Sequence, residues 1–146
     1  MGNTRRIGVV VGAAALTAAG LGLGSASAGT TSTDSHTLRF TSVQLQALQS
    51  GANEVTSGKD VQHGTVTGFD ATTCVANIHT HTASCDAAVA RENGLIYAHV
   101  TVSLSTGTGS GRVTGGTRAY RGATGTISVA PGSGPGRIRI AITYRT

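Results

Sequence analysis

The feature that most constrains the fold is a strict two-residue alternation of side-chain character near the middle of the chain. From Leu95 to Ser105, every second residue is apolar and the residues between them are mostly polar. The apolar set is Ile96, Ala98, Val100, Val102 and Leu104, and the other set is Tyr97, His99, Thr101, Ser103 and Ser105. A helix repeats every 3.6 residues and cannot place these residues on two faces, whereas a strand does so naturally. The segment therefore predicts a strand with one buried face.

The C-terminal segment repeats this pattern. Its apolar positions are Ile138, Ile140, Ile142 and Tyr144, and its polar positions are Arg139, Thr143 and Arg145. Shorter runs rich in β-branched residues occupy 38–45, 61–69, 75–82 and 85–90. Turn signals separate the runs: Asn93-Gly94, which favours a type I′ hairpin with positive φ at both residues, and glycine-rich stretches at 57–58, 107–111, 115–116 and 132–136.

These runs and turns predict an all-β fold, an antiparallel closed barrel of about eight strands. Closure removes the exposed sheet edges that a chain so poor in lysine could not otherwise protect. A barrel of this size is just wide enough to hold one small ligand.

The N-terminal segment predicts an export signal. Arg5 and Arg6 precede an apolar run at 9–23, which ends in the small-residue cleavage pattern Ala26-Ser27-Ala28. The run is too short and too rich in glycine for a transmembrane anchor. We therefore expect a signal peptide at 1–28, a flexible arm at 29–36, a barrel domain at 37–146 and a secreted, extracellular protein.

The two cysteines, Cys74 and Cys85, are best explained by this export. Oxidising compartments favour disulfides, so we expect one disulfide between them. Ten residues lie between the two cysteines, and closing such a loop stabilises a small domain by about 3 kcal/mol.

Residues 111–126 carry the most specific motif of the sequence. A strand-like run is followed by Gly115-Gly116-Thr117, then by Tyr120, and then by Gly122-Ala123-Thr124-Gly125. This stretch resembles the turn signature of the allene oxide cyclase/dirigent-like β-barrel superfamily, and the early cysteine pair is similar to that of its small exported members. Arg118 stands where the family pattern has glycine. The resemblance implies the barrel fold and a structural role for the motif, but it assigns no catalytic residue.

The apolar faces predict what the barrel would enclose. We expect Phe40, Val100, Val102, Ile140, Ile142 and Tyr144 to point inward and to form a mainly apolar ligand pocket. Tyr97 and His99 share the opposite face, which we expect to be the wet exterior. Phosphate-loop, zinc-protease and serine-hydrolase motifs are absent from the sequence, so no cofactor is expected.

A metal site is a weaker candidate. His79 and His81 are two residues apart, which would place both imidazoles on one face of a strand. Two histidines do not complete a four-ligand site, and a disulfide would consume both nearby thiolates. We therefore expect no metal, and interpret the pair as exposed polar residues inside the disulfide loop.

Charge is distributed unevenly along the chain. After Glu92 there are six arginines and no acid, whereas residues 29–92 carry a net charge of −3. One interpretation is a surface for an anionic partner formed by Arg112, Arg118, Arg121, Arg137 and Arg139. The interpretation we favour is that adjacent strands pair the two halves and neutralise them. Nucleic acid is not expected, because aromatic residues make up only 3% of the chain and the net charge after cleavage is +3.

Together these features predict a secreted barrel that binds a small apolar molecule. If it is catalytic, it is a cyclase or isomerase that acts by positioning its substrate away from water. The alternative is a non-catalytic surface or matrix protein whose barrel is filled by its own side chains. Self-association to a homo-oligomer is compatible with either.

Overall fold

The computed structural model describes residues 34–146, which form eight strands and one short 3-10 turn. The strands are β1 (His36–Ser50), β2 (Asn53–Gln62), β3 (Thr65–Asn77), β4 (Thr82–Arg91), β5 (Gly94–Ser103), β6 (Gly109–Gly116), β7 (Thr124–Pro131) and β8 (Arg137–Arg145). The 3-10 turn, Arg118–Tyr120, lies between β6 and β7. The predicted signal peptide and most of the predicted arm lie outside the described residues. Among residues 34–146, no helix is long and apolar enough to cross a membrane.

The strands form a closed antiparallel barrel, as predicted. Each strand pairs with the next along the chain, and β1 pairs with β8 to complete the cylinder. Because consecutive strands run in opposite directions, their connections alternate between the two ends. We call the end with the β1–β2, β3–β4, β5–β6 and β7–β8 connections the upper end, and the other the lower end.

The lower half of the barrel is packed with side chains. Ile96 and Ile142 are completely buried there, and Val89, Ala123 and Phe40 surround them. The even-numbered residues of β5 and β8 thus face the interior, as the two-residue alternation predicts.

The disulfide Cys74–Cys85 is present. The two cysteines are directly opposite each other on β3 and β4, with their Cα atoms 4.1 Å apart. The β3–β4 hairpin itself therefore brings the sulfurs together.

Several predicted turns are wrong in detail. The β4–β5 hairpin turns at Glu92 and Asn93, Gly94 already belongs to β5, and Asn93 does not have positive φ. Positive φ at both turn residues occurs instead at the β2–β3 turn, His63-Gly64, which lies inside the run 61–69 that predicts a strand. Conversely, the pair at 57–58 lies inside β2, and the glycines at 109 and 111 lie inside β6.

The family-like motif forms the β6–β7 connection at the lower end. Gly115 and Gly116 end β6, and the Thr117 hydroxyl accepts a hydrogen bond of 3.0 Å from the Leu95 N–H. Tyr120 is buried, with its ring edge-on to that of Tyr144 at 5.4 Å. Gly122, Ala123 and Gly125 lead into β7, and Ala123 is almost completely buried. The motif therefore closes the lower end of the barrel.

Candidate binding site inside the barrel

The upper half of the barrel is hollow. It encloses a cavity of about 240 Å³, which reaches the upper end where the lining residues Leu104 and Ile138 are exposed. The wall formed by β1 to β3 is polar and includes Ser42, Gln44, Glu54, Thr56, Asp70 and Thr72. The opposite wall, from β4 to β8, is apolar and includes Ala87, Val89, Val100, Val102, Ile127, Val129 and Ile140. The disulfide lies between the two walls, since both cysteines line the cavity.

A pair of carboxyl groups lies on the polar side, near the floor of this cavity. Asp70 lines the cavity, and Asp60, on the neighbouring strand, is completely buried. Each aspartate has a glycine directly opposite in the β2–β3 ladder: Gly58 faces Asp70, and Gly68 faces Asp60. The glycines are needed for space. A Cβ atom on Gly58 would collide with Ser42 Oγ and lie 2.9 Å from Asp70 Oδ2, and one on Gly68 would collide with the Ala90 carbonyl oxygen and lie 3.2 Å from Asp60 Oδ2.

Arg91 is the cation of this site. Its Nη2 lies 3.5 Å from Asp60 Oδ2, and its guanidinium also stacks 4.2 Å above the ring of Phe40. A second guanidinium nitrogen donates to the Thr67 hydroxyl. Because its side chain is only 8% exposed, Arg91 is held in the packed half of the barrel and does not act as a surface charge.

The surroundings of Asp60 favour its protonated form. Burial, and then the neighbouring Asp70 carboxyl with its negative charge, raise the pKa of Asp60 to about 8, against the opposing effect of Arg91. Asp60 therefore carries a proton at neutral pH. Both Asp60 oxygens are shielded from solvent and have no hydrogen-bond partner among the described residues, and the same holds for Oδ2 of Asp70, the residue that lines the cavity. This oxygen is thus an acceptor at the edge of the cavity.

The predicted pocket residues fall into two groups. Val100, Val102 and Ile140 line the cavity. Phe40 and Ile142 belong to the packed lower half, and Tyr144 lies at the lower end between the rings of Tyr120 and His36. Burial, followed by the charge of Tyr120, raises the pKa of Tyr144.

The histidine pair is not on a strand face. His79 and His81 lie in the β3–β4 turn, where the Asn77 side chain accepts hydrogen bonds from the backbone N–H groups of His79 and Thr80. The strand prediction for 75–82 is wrong for residues 78–81, because β3 ends at Asn77 and β4 begins at Thr82. Among the described residues, no three His, Cys, Asp or Glu side chains are grouped closely enough to hold a metal ion.

His99 lies on the outside of the barrel, as expected. Its Nδ1 is 2.8 Å from Asp86 Oδ1 and its Nε2 is 3.3 Å from Ser84 Oγ. The order serine–histidine–aspartate is that of a hydrolase triad. However, Asp86 is 83% exposed and the three residues lie on an open strand surface, so nothing there excludes water or encloses a substrate.

Arg137 and Arg139 have no acid opposite them in the strand ladders. Arg139 lies opposite Thr41 and Ala130, and Arg137 lies opposite Val43. The expected cross-strand neutralisation of the two halves is therefore wrong for these positions. Arg118 and Arg121 lie at the lower end, whereas Arg112 lies on the outer wall and Arg137 at the start of β8. The five candidate arginines are thus spread over the molecule and form no single patch.

Two open depressions of about 480 and 470 Å³ occur on the outer wall around Arg39. Small outward side chains, including Ser128 and Ala141, create them. They are surface grooves between strands, and neither is connected to the carboxyl pair.

Asp60, Asp70 and Arg91 are not among the residues that the sequence predicts, because the six acids show no recognisable pair along the chain. A signal does exist in the repeated tripeptide Gly-x-Asp, which occurs at 58–60 and again at 68–70. In an antiparallel hairpin with this register, each aspartate necessarily meets the glycine of the other tripeptide.

Comparison with known proteins supports the fold. No family model matches the chain, and no curated protein matches it. Among solved structures, it is similar to pyocyanin demethylase, with a TM-score of 0.65 and 16% identity over 75% of this chain and 99% of the other. It is also similar to a nonspecific heme-binding cyclase that catalyses a 4+2 cycloaddition during neoabyssomicin biosynthesis, with a TM-score of 0.63, 13% identity, and coverage of 77% and 64% respectively. At these identities the likeness establishes a shared small-barrel fold.

Proposed function

We propose that this protein is secreted and that its barrel binds a small molecule with an apolar body and one hydrogen-bond donor group. The observation that carries the proposal is the two-sided lining of the cavity. The apolar wall from β4 to β8 accommodates the body, while Asp70 on the opposite wall accepts a hydrogen bond from the polar group.

The cavity volume limits the size of the ligand. A cavity of about 240 Å³ is slightly smaller than the usual range for drug-sized ligands, roughly 300–1,000 Å³. The ligand is therefore a compact molecule, or part of a longer one that extends through the upper end. The self-filled barrel that we considered as an alternative describes the lower half only.

If the protein is catalytic, we propose a cyclisation or isomerisation. The cavity would hold a reactive intermediate in one conformation with little water present. The Asp70 carboxylate, which lines the cavity, would then accept a proton from the bound molecule. The solved neighbours include a cyclase, which is consistent with this class of chemistry.

Binding is tested with a neutral apolar fluorophore, N-phenyl-1-naphthylamine, titrated into the purified protein. Ala87 lines the cavity, whereas its neighbour Ala88 points outward, opposite Tyr97. We expect Ala87→Phe to weaken binding by at least about tenfold, because the ring occupies the cavity, and Ala88→Phe to leave it unchanged. Equal binding by the two variants, or no binding by the unaltered protein, would reject the proposal.

The natural ligand is best sought by native mass spectrometry of protein recovered from the medium of its own culture. A bound mass that disappears in Ala87→Phe supports a ligand in the barrel. Retention of the same mass by this variant places the ligand elsewhere.

A further inference from the structure

The β1–β2 hairpin extends beyond the upper end of the barrel and leaves one sheet edge free. β1 pairs with β8 only as far as Val43, opposite Arg137, and one more hydrogen bond of 2.8 Å joins the Gln44 N–H to the Gly136 carbonyl. Pairing of β1 with β2 continues to Ser50, opposite Asn53. Within the described part of the chain, residues 45–50 therefore have a strand on one side only.

This free edge lacks the usual protection against strand pairing. Natural edges are blunted by charged side chains, proline or bulges. Residues 40–53 contain no Asp, Glu, Lys, Arg or Pro. The bulge of β1 lies at Gln44–Gln46, at the root of the free segment, so the pairing with β2 is regular from Gln46 to Ser50.

Exposed apolar side chains adjoin the edge on its outer face. Leu48 is 72% exposed and lies opposite Val55, which is 47% exposed. Val75, on the next strand, is 50% exposed. An edge with open backbone groups and a neighbouring apolar surface can bind an added strand, with backbone hydrogen bonds supplying affinity.

We propose that the occupant of this edge is the same edge of a second copy of the chain, paired antiparallel about a two-fold axis. The length of the projecting hairpin matches the length of β1 that β8 leaves unpaired. If residues 46–50 pair with residues 50–46 of the second copy, Leu48 lies on the axis and faces its own equivalent. The hairpin tip at 51–52 then ends just where β8 of the other copy begins, because β8 covers β1 only up to Val43. The projecting β1–β2 hairpin of each copy therefore occupies the space beside residues 45–50 of the other copy, which β8 leaves open.

The charge of the segment favours a second copy over another partner. A like-charged segment would repel itself, whereas this uncharged one can lie against its own equivalent without repulsion. The arrangement is isologous and closed, so it stops at a dimer and does not propagate into a fibre. It is independent of any ligand in the cavity.

The experiment is sedimentation equilibrium of purified protein over a wide concentration range. We expect a concentration-dependent dimer. Leu48→Lys and Leu48→Glu each place two like charges on the axis, so each should raise the dissociation constant on the order of tenfold or more. An equimolar mixture of the two variants should restore dimers, because opposite charges then face each other.

The control is Val66→Lys, an equally apolar position that is 48% exposed on β3, near the β2–β3 turn at the lower end. It should leave the dimer unchanged. A protein that stays monomeric at all concentrations overturns the proposal. So does a dimer that tolerates Leu48→Lys, or a mixture of the two charged variants that fails to associate. Circular dichroism confirms that the variants are folded, which their exposed positions lead us to expect.

Discussion

The carboxyl of Asp60 and the guanidinium of Arg91 face each other inside the packed half of the barrel, with Asp60 Oδ2 and Arg91 Nη2 separated by 3.5 Å. Asp60 is completely buried, and a second carboxyl, that of Asp70, is close enough to disfavour its charged form. Burial, and then the neighbouring Asp70, raise the pKa of Asp60 to about 8 despite the nearby arginine.

Asp60→Asn tests this protonation state through the pH dependence of stability. Burial raises the pKa of Asp60 from 3.8 in the unfolded chain to about 8 in the folded protein. Between these values the folded state holds a proton that the unfolded state lacks. Stability therefore falls as pH rises from about 4 to about 8, by at most ~1.4 kcal/mol per pH unit. Asparagine keeps the donor and acceptor groups but does not titrate.

We expect the melting temperature of Asp60→Asn, minus that of the unaltered protein, to increase as the pH rises from about 4 to about 8. Above about pH 8 this difference should become constant. Thermal unfolding followed by circular dichroism at several pH values measures this. Glu92→Gln, at an exposed residue of the β4–β5 turn, serves as the control and should leave the pH dependence of the melting temperature unchanged. Parallel curves for Asp60→Asn and the unaltered protein would contradict the raised pKa.

Arg118→Gly should stabilise the fold. Arg118 has φ of 51°, in the left-handed region that costs a residue with a Cβ atom about 1–2 kcal/mol. Glycine removes most of this cost but gains freedom in the unfolded chain, so we expect a net gain of about 1 kcal/mol. The measurement is the free energy of unfolding in urea. Arg121→Gly is the matched control: its φ of −60° is ordinary, and it should bring a loss or no change.

The double variant Cys74→Ala/Cys85→Ala should lose about 3 kcal/mol of stability. The disulfide joins residues 11 apart in sequence. It links β3, which belongs to the polar cavity wall, to β4, which belongs to the apolar wall. Denaturant unfolding with and without a reducing agent tests this. The unaltered protein should become less stable on reduction, whereas the double variant should not respond. A response of the double variant would mean that the reductant acts elsewhere.

The sequence was most informative about features that depend on local spacing. The alternation in β5 and β8 predicts strands with one buried face, because successive side chains of a strand point to opposite sides. It was least informative about turns such as Asn93-Gly94. There the strand register, which is set by packing along the whole hairpin, overrides the preference of the dipeptide.

The sequence by itself determined the class of fold, the disulfide partners and the inward face of the clearest strands. These follow from alternation, glycine spacing and the presence of just two cysteines. Only the tertiary structure decided that the upper half is hollow, that the hairpin overhangs β8, and that Asp60, Asp70 and Arg91 meet. The reason is that closure of a barrel sets the register of every strand pair. Which inward residues meet depends on that register, to which all eight strands contribute.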